Sequence, residues 1–226
     1  LGQQILIERL LFCDVLDEVW YHLVVLVLPR FFAQPFSFTC LSTADAPVIV
    51  EVLLYLLHLF AGSPASTANV DRLKGFEDYM AANCPKIKVL GTLYSEADIN
   101  LCTTQTVDVL SANPDLKAIF AVDESRTSGC GTALIQQGRG NDIILGGFDA
   151  NNDTVALMEE GVVNFLTVQQ PFQMGYLAFG AALETLKGNQ PEHSIVDTGC
   201  TVVLRENMNE EEMQKLLFPL NYIKVQ

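Results

Sequence analysis

Positive charge is scarce in this sequence. Thirteen lysines and arginines stand against 27 aspartates and glutamates over 226 residues, a formal net charge of −14. A surface of that sign repels phosphate, which argues against nucleic acid and anionic membrane surfaces as partners. Histidine is scarcer still: His22, His58 and His193 stand isolated, leaving little material for a histidine-based triad or a zinc site. No G-x-x-x-x-G-K-S/T or G-x-S-x-G motif occurs. Gly129-Cys130-Gly131 is a bare G-x-G inside a stretch that reads as helix, the wrong context for a dinucleotide site. The cysteines at 13, 40, 84, 102, 130 and 200 form no C-x-x-C pair. A chain of this length does not need disulfide staples, so most of them read as small buried hydrophobes. Long uncharged runs are missing too. Val19–Phe32 is broken by His22, Pro29 and Arg30, and Ala46–Phe60 carries Glu51 and His58. Neither supplies the roughly 18–20 apolar residues of a membrane span. No targeting segment is visible, and no cofactor or metal is expected.

What is present is enough apolar material for a packed core: 50% hydrophobic residues against 18% charged. The length fits one large domain or one and a half. Residues 1–60 form an atypical, irregular apolar segment, with eight charged residues, glycine only at Gly2 and no clear alternation of strand and helix. From Gly62 onward the pattern becomes regular. Ser66 to Asn69 offers N-cap candidates, and Leu73, Phe76, Tyr79 and Met80 recur at helical spacing over 70–83. Strands are expected at 87–93, 118–122, 142–148, 164–168 and 201–204. Between and after them, helices are expected at 96–112, 125–137, 153–160, 172–187 and 209–217. Strands alternating with helices imply an α/β fold, a parallel doubly wound sheet flanked by helices over 61–226. In such sheets ligands sit at the carboxyl ends of the strands.

Four polar residues stand at those ends. Arg72 lies in the first turns of a helix, and Asp123, Asp149 and Gln169 each follow a strand directly. A guanidinium, two carboxylates and an amide suit a polyhydroxylated ligand, whose hydroxyls both donate and accept. Tyr94 and Phe172 on neighbouring loops could supply an aromatic face. Taken singly, each has a plainer reading. Asp123 or Asp149 could cap the next helix, Arg72 could be a solvated face residue, and Gln169 could be ordinary strand-end polarity. Their convergence on one edge favours a shared site.

Gly62-Ser63-Pro64 with Arg72-Leu73-Lys74-Gly75-Phe76, the run Leu110 to Ala121, Asp142-Ile143 through Gly147-Phe148-Asp149, and Val168-Gln169-Gln170-Pro171 with Met174-Gly175-Tyr176 occur in that order. Together they resemble the C-terminal lobe of periplasmic sugar-binding proteins of the ribose-binding type, the solute receptors of ABC importers. The resemblance implies a periplasmic-binding-protein-like lobe, a monosaccharide ligand, an ABC permease partner, an extracytoplasmic (periplasmic or cell-surface) location and no enzymatic activity. It places ligand contacts on Arg72, Asp123, Asp149 and Gln169. The stacking aromatic of ribose-type members falls near Ala97, so Tyr94 is expected to take its place. The implied N-terminal lobe needs about 100 residues in a glycine-punctuated rhythm that residues 1–60 lack, so it is expected to be truncated or altered. Within the same fold, the alternative is the ligand-sensing core of a lactose-repressor-like regulator, and the acidic 1–60 segment argues against a DNA-reading helix there. A third class, a sugar or sugar-phosphate enzyme using Asp123 and Asp149 as acid and base, is short of nucleophile–base pairs.

Overall fold

The computed structural model describes residues 55–84, 86–96, 98–191, 193 and 195–222. Residues 1–54, with His22, Cys13, Cys40 and the Val19–Phe32 run, lie outside them, as does Ala97. The strands are β1 (Tyr55–Ala61), β2 (Ile87–Tyr94), β3 (Leu116–Ala121), β4 (Ile144–Phe148), β5 (Val163–Gln169) and β6 (Cys200–Leu204). The helices are α1 (Thr67–Asn83), α2 (Ile99–Ala112), α3 (Glu124–Gln136), α4 (Asn152–Glu159), α5 (Pro171–Leu186) and α6 (Glu211–Leu217). The order β1-α1-β2-α2-β3-α3-β4-α4-β5 is the alternation read from the sequence. The first strand reaches back to Tyr55, across the boundary expected at residue 61.

Local chemistry sets the helix starts. The Ser66 hydroxyl accepts from the Asn69 amide and opens α1. The Asp98 carboxylate accepts from the amides of Asn100 and Leu101 at 2.8 and 3.1 Å and opens α2. Both satisfy backbone donors that the first helical turn leaves without partners.

The six strands lie in the order β2-β1-β3-β4-β5-β6. The first five run parallel. The departure from a wholly parallel sheet is β6, which pairs antiparallel with β5. The chain leaves β5 through α5, and β6 meets the outer edge of β5 running the opposite way. An apolar run carries no information about strand direction, which is why the sequence does not reveal this.

Side chains alternate between two cores, as the period of a strand dictates. On one face Leu73, Phe76 and Met80 of α1 pack against Leu57, Leu59, Phe120, Phe148 and Phe165. On the other, α2, α3, α4 and α6 cover Phe60, Ile119, Leu145, Leu166 and Val203. The first face holds an aromatic row, with Phe76 stacked on Phe120 at 4.8 Å and Phe120 on Phe165 at 6.3 Å between centroids. Gly146 makes room for it, since a Cβ there would overlap the Phe165 ring. Gly146→Ala is therefore expected to destabilise the fold by about 2–3 kcal/mol through overpacking, read as a lower denaturant midpoint. An unchanged midpoint would mean that the ring moves aside at no cost.

The helix α5 differs from the others. None of its residues is buried. Tyr176 and Phe179 are each 68% exposed and Leu186 is 85% exposed. An apolar helix left in this state marks a surface meant to be covered. Among the described residues no helix is long and apolar enough to cross a membrane.

Candidate functional site

The strand order turns at β1, with β2 on one side and β3 on the other. Loops leaving the carboxyl ends on either side of such a turning point diverge and open a crevice. The loops after β1, β3, β4 and β5 carry the site residues, and α1 adds Arg72 from the side.

Arg72 is the centre of the group. Its guanidinium donates to the Val122 carbonyl at 2.9 Å and lies over the Phe148 ring, 3.7 Å from the centroid. A half-buried stack of this kind contributes on the order of 1 kcal/mol and fixes the plane of the guanidinium. Burial pulls the Arg72 pKa down, while the negative charges of Asp149 and Asp123 oppose that shift. Val122 precedes Asp123 and Phe148 precedes Asp149, so these contacts set the guanidinium between the two acids.

Asp149 sits on a left-handed turn, φ +61°, a region that aspartate tolerates better than most residues. Its amide donates to the Thr167 carbonyl at 2.8 Å, and its carboxylate accepts from the Gln169 amide at 2.7 Å. Gln169 in turn ends β5. The capping reading of Asp149 is overturned. Asn151 caps α4 instead, in a reciprocal capping box with Thr154.

Asp123 does cap its helix, accepting from the Arg126 amide at 3.1 Å. The same carboxylate oxygen accepts from the Arg126 side chain at 2.6 Å, and the second is 3.4 Å from the Asn69 amide nitrogen. Asn69 also accepts from the backbone amides of Gly62 and Ser63 at 3.1 and 3.0 Å. Gly62 is needed here, because a Cβ would come within 2.8 Å of the Asn69 oxygen and 3.2 Å of Asp123. Arg126 and Asn69 are buried, and sequence reasoning misses both as members of the site. The signals were the three-residue step from Asp123 to Arg126 and the place of Asn69 just after the Gly62 turn.

The four expected residues thus share the carboxyl edge of the sheet. Arg72 bridges the Asp123 and Asp149 loops, and Gln169 is tied to Asp149. Tyr94 stands apart at the end of the edge strand β2, separated from β4 by β1 and β3, with its ring packed against the α1-side core. Phe172 lies in the exposed first turn of α5. A hollow of about 290 Å³ beside Asp149 and Gln169 is closed by Pro171, Met174 and Leu217. A larger one, about 550 Å³, lies between α5 and α6, away from Arg72 and Asp123, and is lined by Phe172, Met213 and Tyr222. Asp149 and Gln169 line the smaller hollow, whereas Arg72 and Asp123 line neither. Among the described residues, the second oxygen of Asp149 and the carbonyl oxygen of the Gln169 side chain take no protein donor. Arg72 keeps guanidinium donors beyond the one used on Val122.

Residues 51–190 match the family described as periplasmic binding protein domain. The chain is 28% identical over 134 residues to the ribose import binding protein of Bacillus subtilis, an alignment covering 59% of this chain and 42% of that protein. It thus spans less than half the length of that curated relative. Among solved structures, it is similar to an ABC transporter solute-binding protein from Agrobacterium vitis with bound D-fucose. There the TM-score is 0.69 and the identity 31%, over 72% of this chain and 56% of that one. It is also similar to a carbohydrate transporter solute-binding protein from Agrobacterium radiobacter in complex with D-arabinose. In that case the TM-score is 0.70 and the identity 26%, over 73% of this chain and 55% of that one. These relatives are binding proteins rather than enzymes.

Proposed function

The chain belongs to the periplasmic binding protein domain family, and from that premise we propose that it is one lobe of an extracytoplasmic monosaccharide receptor that delivers its ligand to an ABC permease. Arg72, Asp123, Asp149 and Gln169 bind the sugar hydroxyls, while Tyr94, at the end of β2, stands apart from them. The observation that carries this reading is the Asp123–Arg72–Asp149–Gln169 row at the carboxyl edge of the sheet, in which Arg72, Asp149 and Gln169 keep unused donors and acceptors. A carboxylate and a guanidinium in fixed register bridge neighbouring hydroxyls, and water cannot reproduce that geometry once a second lobe excludes it. Ligand would then favour the closed arrangement of two lobes by binding it more tightly. No observation favours the regulator reading.

The second lobe would also cover α5. This helix starts two residues after Gln169, so a lobe seated on its apolar face would stand directly over the rim. Phe179→Glu is expected to lower binding of a hydrophobic dye and self-association while leaving the melting temperature within about 2 °C, as an exposed substitution should. A fall of more than about 5 °C would mean that the chain already covers this face itself.

Isothermal titration of the chain with a panel of aldopentoses, aldohexoses and polyols tests the proposal. Saturable heat with at least one aldose, reduced by changes at Arg72 or Asp149, is the expected result. Folded protein giving no heat with any member would overturn it.

A further inference from the structure

We propose that Cys102 and Cys130 form a disulfide that staples α2 to α3. The two side chains meet across the helix pair with their sulfurs 3.8 Å apart, and both residues are fully buried. The helices approach closely at this level because residue 129 is glycine: a Cβ there would lie 2.8 Å from the Cys102 Cβ. The Thr103 hydroxyl is 3.2 Å from the Gly129 carbonyl and 2.9 Å from that of Ile99, which fixes the register of α2 against α3. Thr106 lies 3.4 Å from the Cys130 sulfur, and Cys102 lies 3.7 Å from the Arg126 carbonyl. The pair is therefore held between two elements in fixed register, and the sulfurs must close from 3.8 Å to about 2.05 Å to bond. None of the four described cysteines, Cys84, Cys102, Cys130 and Cys200, is in a disulfide in the structure, so the bond is one that the Cys102–Cys130 pair has still to form.

Burial sets when the bond forms. No oxidant reaches the pair in the closed structure, so the reaction belongs to states in which α2 stands open from α3, during folding or on warming. The oxidant is a disulfide, carried by a protein or a small molecule. One cysteine thiolate attacks it, forming a mixed disulfide and releasing one oxidant thiol. The second cysteine thiolate attacks the cysteine sulfur of that mixed disulfide and releases the other oxidant thiol. The cysteine pair loses two protons and two electrons, and the oxidant disulfide is reduced to two thiols. The proposal is independent of sugar binding, although the staple bears on the first turn of α3, where Arg126 holds Asp123. The sulfurs belong to residues 28 apart in the chain. A loop of that length is expected to raise the melting temperature by about 5–10 °C.

The test is peptide mapping of the whole chain after two treatments: refolding from denaturant with reduced and oxidised glutathione, and warming the native protein with oxidised glutathione. Thiols are then alkylated under denaturing conditions. The expected result from either route is a linked peptide holding Cys102 and Cys130, lighter by two hydrogens than the two peptides apart, and a melting temperature that falls by about 5–10 °C with dithiothreitol. The Cys130→Ala variant should give neither signal. Alkylated Cys102 and Cys130 after both routes, or their consistent pairing with other cysteines, would overturn the proposal.

Discussion

Replacing Asp149 with alanine is expected to weaken binding of the preferred sugar at least about 30-fold. Asp149 is the one group in the row that touches Gln169 and also faces Arg72, so its loss removes more than its own contact. The free carboxylate oxygen would no longer accept from a sugar hydroxyl, and Gln169 would lose the partner that orients its amide at 2.7 Å. A charge-assisted hydrogen bond of this kind contributes about 1.5–3 kcal/mol, and each 1.4 kcal/mol is tenfold in affinity. Alanine at φ +61° also strains the backbone, so Asp149→Asn is the companion variant. Asparagine tolerates the turn and keeps an oxygen for Gln169, so the folded state should be retained. Its affinity should fall about tenfold, because the charge is gone. Titration of both variants against wild type reads the effect. Unchanged affinity in both would remove Asp149 from the site.

The largest stability effect is expected at Asp123. Its carboxylate is the counter-charge of Arg126, which is 5% exposed, and the same oxygen caps α3. Asp123→Ala would leave a buried guanidinium without its anion and the first turn without its acceptor. Removal of one partner of a buried pair costs about 3–5 kcal/mol, against about 0.5–2 kcal/mol for loss of a cap. The melting temperature should drop by about 10 °C or more. Asp123→Asn, which retains the cap but not the charge, should lie between. Adding Arg126→Met to Asp123→Ala should recover part of the loss, because the uncompensated cation goes with it. If Asp123→Ala costs under 1 kcal/mol by denaturant unfolding, the guanidinium has another route to water and the pairing is incidental.

Much of the lobe can be read from residues 62–217. Helical spacing of Leu73, Phe76 and Met80 and the apolar runs at 118–122 and 164–168 place α1, β3 and β5 within a few residues. The close of α3 is marked by Gly138, which adopts φ +65°. Other features depend on tertiary structure that a linear pattern does not contain. The direction of β6 follows from where α5 takes the chain. The burial of Asn69 and Arg126 follows from the approach of three loops to one point, so polar residues that look solvated become the support of Asp123. The choice between cap and site at Asp149 turned on Asn151, two residues on, which takes the cap and leaves the acid on the rim. The bare G-x-G at 129–131 is a packing device, with Gly129 against Cys102 and Gly131 against Leu157. Residues 1–60 carry too little punctuation to read, and only Tyr55 onward is described.

The measurement that bears most directly on the sugar site is a crystal structure of the chain with the aldose that gives the strongest heat. The sugar should lie on the rim, with hydroxyl oxygens within about 3.2 Å of both the Arg72 guanidinium and the Asp149 carboxylate. A sugar seated in the hollow between α5 and α6, with the rim residues untouched, would contradict the assignment.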